Sequence, residues 1–260
     1  IIRAMDEIES GWPDPVYGHV PLIHGPDGAK MSKRHGAVGV EGYRDEEGVL
    51  PEALFNYLLR LGWGHGDREE ITKSEAIELF DLDGVGKGPA RFDIKKLQNL
   101  NGHYIREADD ARLAKIVAAR MDRQAGLDLL TRAMPFLKTR AKSINELVEG
   151  AAFLFAEQPL EMTDKAAGLL DDEARQRLAG LSEMLHVQND WTSEALEATT
   201  KSYAEKLELG LGKLAQPMRA ALTGTTTSPG IFDVLVLLGK EESLLRIDAQ
   251  ASPTGTEEND

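Results

Sequence analysis

His24-Gly25-Pro26-Asp27-Gly28-Ala29-Lys30-Met31-Ser32-Lys33-Arg34-His35-Gly36 is the stretch whose reading decides the fold. It follows an apolar run, Val16 to Ile23, whose composition predicts a short β-strand delivering a loop at its C-terminal end. Lys30, Lys33, Arg34 and His35 put four cationic or potentially cationic side chains into six residues. Pro-Asp-Gly and the flanking glycines make a turn. A turn carrying lysines suits a polyphosphate, whose charge shifts during reaction and must be followed rather than clamped. Taken alone, Lys-Met-Ser-Lys-Arg also reads as a solvated basic turn, so its surroundings decide.

Those surroundings are Pro15-Val16-Tyr17-Gly18-His19-Val20-Pro21-Leu22-Ile23 before the loop and Gly36-Ala37-Val38 after it. Together they resemble the signature loop of class I aminoacyl-tRNA synthetases, in the form used by bacterial glutamyl-tRNA synthetases. The resemblance implies a loop that closes over ATP, with Mg2+, while glutamate is activated to an adenylate. Cations that contact phosphate oxygens better in the transition state than in bound ATP raise that rate. By resemblance Lys33 and Lys30 are the catalytic residues. Lys30, Met31, Ser32, Lys33 and Arg34 form the ATP-binding set, with Met31 anchoring the loop and Ser32 donating to phosphate.

The 260 residues, 42% hydrophobic, are enough to bury a substantial core in one to three domains. The absence of Cys excludes disulfides, thiolate metal sites and a cysteine nucleophile. No apolar run reaches the length of a membrane span and no signal-peptide pattern is present, which predicts a cytoplasmic protein with no membrane partner. The opening Ile1-Ile2-Arg3-Ala4-Met5 lacks an initiator Met and reads as mid-helix, so a fragment is expected. The net charge of −14 conceals an asymmetry: residues 84–142 carry +7, with 13 basic against 6 acidic side chains, between segments of −9 on either side. A basic segment of this kind is the electrostatic footprint of a phosphate-backbone contact surface.

Beyond the loop the periodicity is helical. Proline opens the run Pro51–Leu61, Gly62 stops it, and Thr72 or Ser74 caps a helix through Phe80. His65 reads as a loop residue, since no second ligand stands at metal spacing, and no metal site is expected. Gly84-Val85-Gly86-Lys87-Gly88 follows a helix rather than a strand and fails the Walker spacing, so it reads as a connection. Helices are predicted over 109–122, 124–137, 144–155, 171–185, 192–209, 214–222, 231–238 and 240–247, capped at Asp171 and Thr192. The residues after 248 are small, polar and acidic, which predicts a disordered tail.

Two further segments resemble the same family. Ala90-Arg91-Phe92-Asp93-Ile94-Lys95-Lys96-Leu97-Gln98-Asn99-Leu100-Asn101, running to Tyr104-Ile105-Arg106, resembles its stem-contact region. Phe136-Leu137-Lys138-Thr139-Arg140-Ala141-Lys142-Ser143 resembles its anticodon motif. The implied tRNA-binding residues are Lys87, Arg91, Lys95, Lys96, Arg140 and Lys142. The stretch from Gly212 to Gly239, including Arg219 and Ser228-Pro229-Gly230, reads as scaffold. The expected fold is mainly α: a C-terminal remnant of a Rossmann-type α/β catalytic domain, then helical stem-contact and all-helical anticodon-binding domains. The domains are expected at 1–45, 46–106 and 107–248, with a tail at 249–260. The implied function is that of the C-terminal part of a glutamate–tRNA ligase, inactive by itself. Its partners would be tRNA-Glu (with tRNA-Gln open), ATP, and glutamate bound through an upstream half, and the protein is expected to be monomeric. The alternative is a free-standing, non-catalytic helical tRNA-binding module with a vestigial loop.

Overall fold

The computed structural model describes residues 16–31 and 39–251. They divide into two compact units, with the boundary between Tyr104 and Ile105.

The first unit holds β1 (Ile23–His24), α1 (Val40–Asp45), α2 (Pro51–Gly62), α3 (Lys73–Leu79), β2 (Ala90–Arg91) and the start of α4 (Ile94–Glu107). The expected strand over 16–23 shrinks to its last residue plus His24. Residues 16–22 are not strand, and Val16, Tyr17 and Val20 are at least 75% exposed. Pro21 has no amide to give a ladder, and an unpaired strand is not stable by itself. The strand that β1 does find was not expected. It is β2, in parallel register with Ile23 opposite Ala90 and His24 opposite Arg91.

Aromatic and amide side chains fix this unit. Phe92 packs edge-on against Tyr57 at 5.1 Å and tilted against Tyr43 at 5.7 Å. The Tyr57 hydroxyl accepts from Asp93 N at 2.6 Å and donates to Asp93 O at 3.0 Å, which seats the residues leading into α4. Asn101 is fully buried. It accepts from Leu50 N and donates to Gly48 O, holding the turn that starts α2. Buried Asn56 does the same for the loop before α3, donating to Glu69 O and accepting from Ile71 N. Each amide satisfies backbone groups that burial would otherwise leave unpaired. Gly84 lies against Trp63, where a Cβ would come 2.3 Å from Nε1, and Gly86 N donates to Gly62 O. The glycine-rich segment is therefore a backbone seat for Trp63.

The second unit is helical: α5 (Asp110–Met121), α6 (Leu127–Leu137), α7 (Ile144–Ala151), α8 (Asp164–Ala167), α9 (Asp172–Val187), α10 (Ser193–Lys206), α11 (Gly212–Thr223) and α12 (Ile231–Ala251). Single 3-10 turns precede α6 and follow α7. Asp109, Ser143, Thr163, Asp171 and Thr192 cap their helices through side-chain oxygens. The two predicted helices 231–238 and 240–247 form α12, bent at Gly239, whose φ of +79° breaks the helix. Helix α12 ends at Ala251, three residues into the expected tail, and residues 252–260 lie outside the described residues. Helix α8 was too short to show a period.

Leu130, Met134, Leu178, Leu181, Leu185, Leu214, Met218 and Leu235 form the buried core of this unit. Arg246 is 2% exposed, and its guanidinium donates to Phe153 O (2.9 Å), Leu222 O (2.8 Å) and Ala156 O (3.1 Å) while pairing with Glu242. A buried arginine satisfied at every edge crosslinks three chain segments. Gly224 (φ +69°) ends α11 where a Cβ would fall 2.2 Å from Glu161 O, and its carbonyl accepts from Thr163 N. No helix among the described residues is long and apolar enough to cross a membrane.

Candidate phosphate loop and nucleic-acid pocket

In the first unit, residues 23–31 form a tight hairpin. Met31 N donates to Ile23 O and Gly25 N to Ala29 O, both at 2.9 Å, and Lys30 bridges His24 in antiparallel sense. Gly28 takes φ +79° at the tip, which an L side chain rarely adopts, and Asp27 Oδ1 accepts from Ala29 N at 3.0 Å. Lys30 leaves the hairpin exposed and Met31 is half-buried. Ser32, Lys33 and Arg34 lie outside the described residues. On its other edge β1 accepts from Ala90 N at Leu22 O (3.1 Å) and from Phe92 N at His24 O (2.8 Å). The hairpin is thus held on both sides, and its exposed arm carries Lys30 toward the lysine-rich residues.

Lys87, Arg91, Lys95 and Lys96 are all exposed on this unit. Lys95 and Lys96 occupy the first turn of α4, where their amides donate to Asp93 Oδ1 at 2.9 and 3.3 Å. Cations at a helix N-terminus oppose the macrodipole and cost stability. Two adjacent lysines there suit an external anion better than they suit the helix. Lys87 lines an open depression of about 410 Å³ with Tyr17, His19 and Leu82.

In the second unit, Arg140 and Lys142 lie on the turn between α6 and α7, both exposed. The turn is braced by Lys142 N donating to Glu146 Oε2 (2.7 Å) and Glu146 N to Ser143 Oγ (3.1 Å). Arg140 lines a cavity of about 260 Å³ together with Phe136, Glu146, Thr227, Ser228 and Pro229. The far wall is the loop after α11, and Arg219 holds it: its guanidinium donates to Pro229 O (2.8 Å), Ser228 O (3.3 Å) and Ser228 Oγ. Burial, and then the like charge of Arg140, lower the Arg219 pKa from its ordinary value. Arg140, the Phe136 ring and the Glu146 carboxylate line this cavity, and Arg219 bears on it through the loop that it holds. The stretch 212–239 reads from sequence as scaffold, and the contacts of Arg219 with Ser228 and Pro229 are of that kind.

Among the described residues no three His, Cys, Asp or Glu side chains converge as a metal site. Lys30 offers an exposed ammonium on the hairpin, a group that pairs with phosphate oxygens.

The first unit thus carries a lysine-bearing hairpin, and the second a cavity lined by Arg140. Residues 96–251 match the model of the anticodon binding domain, and residues 7–99 match that of the class I tRNA synthetases (E and Q), catalytic domain. The chain therefore belongs to the glutamate and glutamine branch of the class I aminoacyl-tRNA synthetases. It is 76% identical over 253 residues to glutamate–tRNA ligase 1 of Erythrobacter litoralis, covering 97% of this chain and 52% of that protein. It is 64% identical to glutamate–tRNA ligase 2 of Novosphingobium aromaticivorans, covering 97% and 53%. A crystal structure of a glutamate tRNA ligase from Elizabethkingia meningosepticum superposes with a TM-score of 0.80 at 27% identity, over 96% of this chain and 54% of that one. The chain spans about half the length of the relatives it matches. These matches give the free-standing module no support.

Proposed function

We propose that the chain supplies the ATP loop and the tRNA-binding surfaces of a glutamate–tRNA ligase. ATP provides the α-phosphoryl group to which the glutamate carboxylate becomes joined as pyrophosphate leaves, and the glutamyl group then passes to tRNA-Glu. In this reading Lys33 and Lys30 hold phosphate oxygens as charge builds on them, with Met31, Ser32 and Arg34 completing the loop. Lys87, Lys95 and Lys96 contact the phosphate backbone of the tRNA. Arg140 and Lys142 face the anticodon, with Arg219 shaping the wall opposite Arg140. The domain limits 45/46 and 106/107 belong to the same proposal.

The observation that carries it is the pocket in which Arg140 faces the loop that Arg219 holds in place. A guanidinium beside an aromatic ring suits a base, whereas a phosphate needs charge alone. The test is filter binding of tRNA-Glu transcripts to the 260-residue chain. Salt-sensitive binding that R140Q weakens supports the proposal. Absence of binding at low salt refutes it.

A further inference from the structure

His24 is the middle residue of a row that crosses three adjacent strands. It pairs with Lys30 on the returning arm of the hairpin and, in parallel register, with Arg91 on β2. Residues paired across a ladder project from the same face, and neighbouring strands lie about 4.8 Å apart. Lys30, His24 and Arg91 therefore share one face within a width of about 10 Å. The Arg91 guanidinium leans over the hairpin tip: its Nη2 is 3.7 Å from where a Cβ on Gly28 would lie. Lys30 and Arg91 are exposed and His24 is half-buried. Asp27, the acidic side chain of the hairpin, directs Oδ1 to Ala29 N.

We propose that His24 and Arg91, together with Lys30, form a binding row for the phosphate chain of ATP. The inference rests on reading the hairpin as the ATP loop and extends it to two residues outside that loop's signature. The chemistry is complementary: a guanidinium fork for bidentate contact, an imidazole N–H donor, and an ammonium point charge. The row runs across the strands and is short, which fits a compact chain carrying several charges. The lysines placed for an RNA backbone, Lys95 and Lys96, stand instead on the first turn of α4. Arg91, expected from sequence to meet tRNA, thereby joins the nucleotide.

The 260-residue chain is titrated with inorganic tripolyphosphate by calorimetry at fixed pH and low salt, as wild type and as K30Q, H24Q, R91Q and R91K. Each neutral variant is expected to bind about fivefold more weakly, the H24Q/R91Q pair about twentyfold, with R91K recovering part of the loss. Circular dichroism should be unchanged, because the ladder is made by the backbone. The control is K165Q, an exposed lysine of α8, which should bind like wild type. R91Q binding as tightly as wild type, K165Q losing as much as R91Q, or R91Q weakening only tRNA binding would each overturn the proposal. So would a wild-type chain that does not bind tripolyphosphate. Loss in H24Q and R91Q but not in K30Q would overturn the row as proposed, because Lys30 is one of its three members. The R140Q test of tRNA binding reports on the second unit independently of all these outcomes.

Discussion

At position 33 the reading is sharpest. Placed in a full-length glutamate–tRNA ligase, Lys33→Ala is expected to slow glutamate-dependent ATP–pyrophosphate exchange by about 2–4 kcal/mol of barrier, tens- to a thousandfold, while tRNA binding holds. A rate within about threefold of wild type would remove the lysine from the mechanism. Lys95 and Lys96 oppose function to stability. Replacing both by Glu should raise the melting temperature slightly, since each cation at the α4 N-terminus costs about 0.3–1 kcal/mol, and should weaken tRNA binding at least about tenfold. A double variant that melts lower, or binds as before, contradicts the placement. Arg140 should be worth about 1–3 kcal/mol of discrimination if it reads a base. Charging of anticodon variants by R140Q decides this, because uniform weakening across all of them leaves only a phosphate contact.

Helices and caps were largely legible because their chemistry is local. The box at α3 shows it: Glu75 N donates to Thr72 Oγ1 and Thr72 N to the Glu75 carboxylate, which also pairs with Arg68 at 2.6 Å. The Arg68 pairing first, and then the Thr72 hydrogen bonds, lower the Glu75 pKa to about 2. A folded-state pKa below the unfolded one gives stability that is present at neutral pH and lost as pH falls from about 4.5 toward 2. Thr72→Ala should cost about 1 kcal/mol and flatten the acid limb of a pH–stability curve over that window. A variant with an unchanged limb would discount the box. What sequence could not show was pairing at a distance. A two-residue strand has no alternation to detect, so neither β2 nor its register with β1 could be found, and the pairing of Arg91 with His24 stayed hidden. The bonds of Arg219 were hidden for a related reason: its partners, Ser228 and Pro229, lie beyond a glycine break and are brought back by the turn at Gly224.

Across the whole chain, the net charge of −14 contrasts with the +7 of residues 84–142, and on the proposed function that basic segment is what meets RNA. With about five phosphate contacts, affinity for tRNA should fall by roughly two orders of magnitude between 50 and 200 mM salt. A titration that is flat across that range would deny the basic segment its role. In the second unit the turn at Gly224 and the Arg246 crosslink fasten the same carbonyl-rich corner from two sides. Gly224→Ala meets both a clash and a positive φ, and should destabilise that unit by more than about 1 kcal/mol while loosening the loop that walls the Arg140 cavity. Denaturation together with tRNA binding would show both losses. A stable variant that still binds would separate the turn from the pocket.

The pairing of β1 with β2 also sets an order of assembly. Its partners stand at 23–24 and 90–91, so forming it closes a loop that contains α1, α2 and α3. Closure entropy grows only as the logarithm of the intervening length, but it must be met before a ladder of two residues returns anything. The helices between, made of near-neighbour contacts, shorten that search by forming first. The hairpin of residues 23–31 can close early by itself, yet the row Lys30–His24–Arg91 exists only after the intervening helices have folded. The three side chains are therefore brought into line only when β1 and β2 pair across that loop.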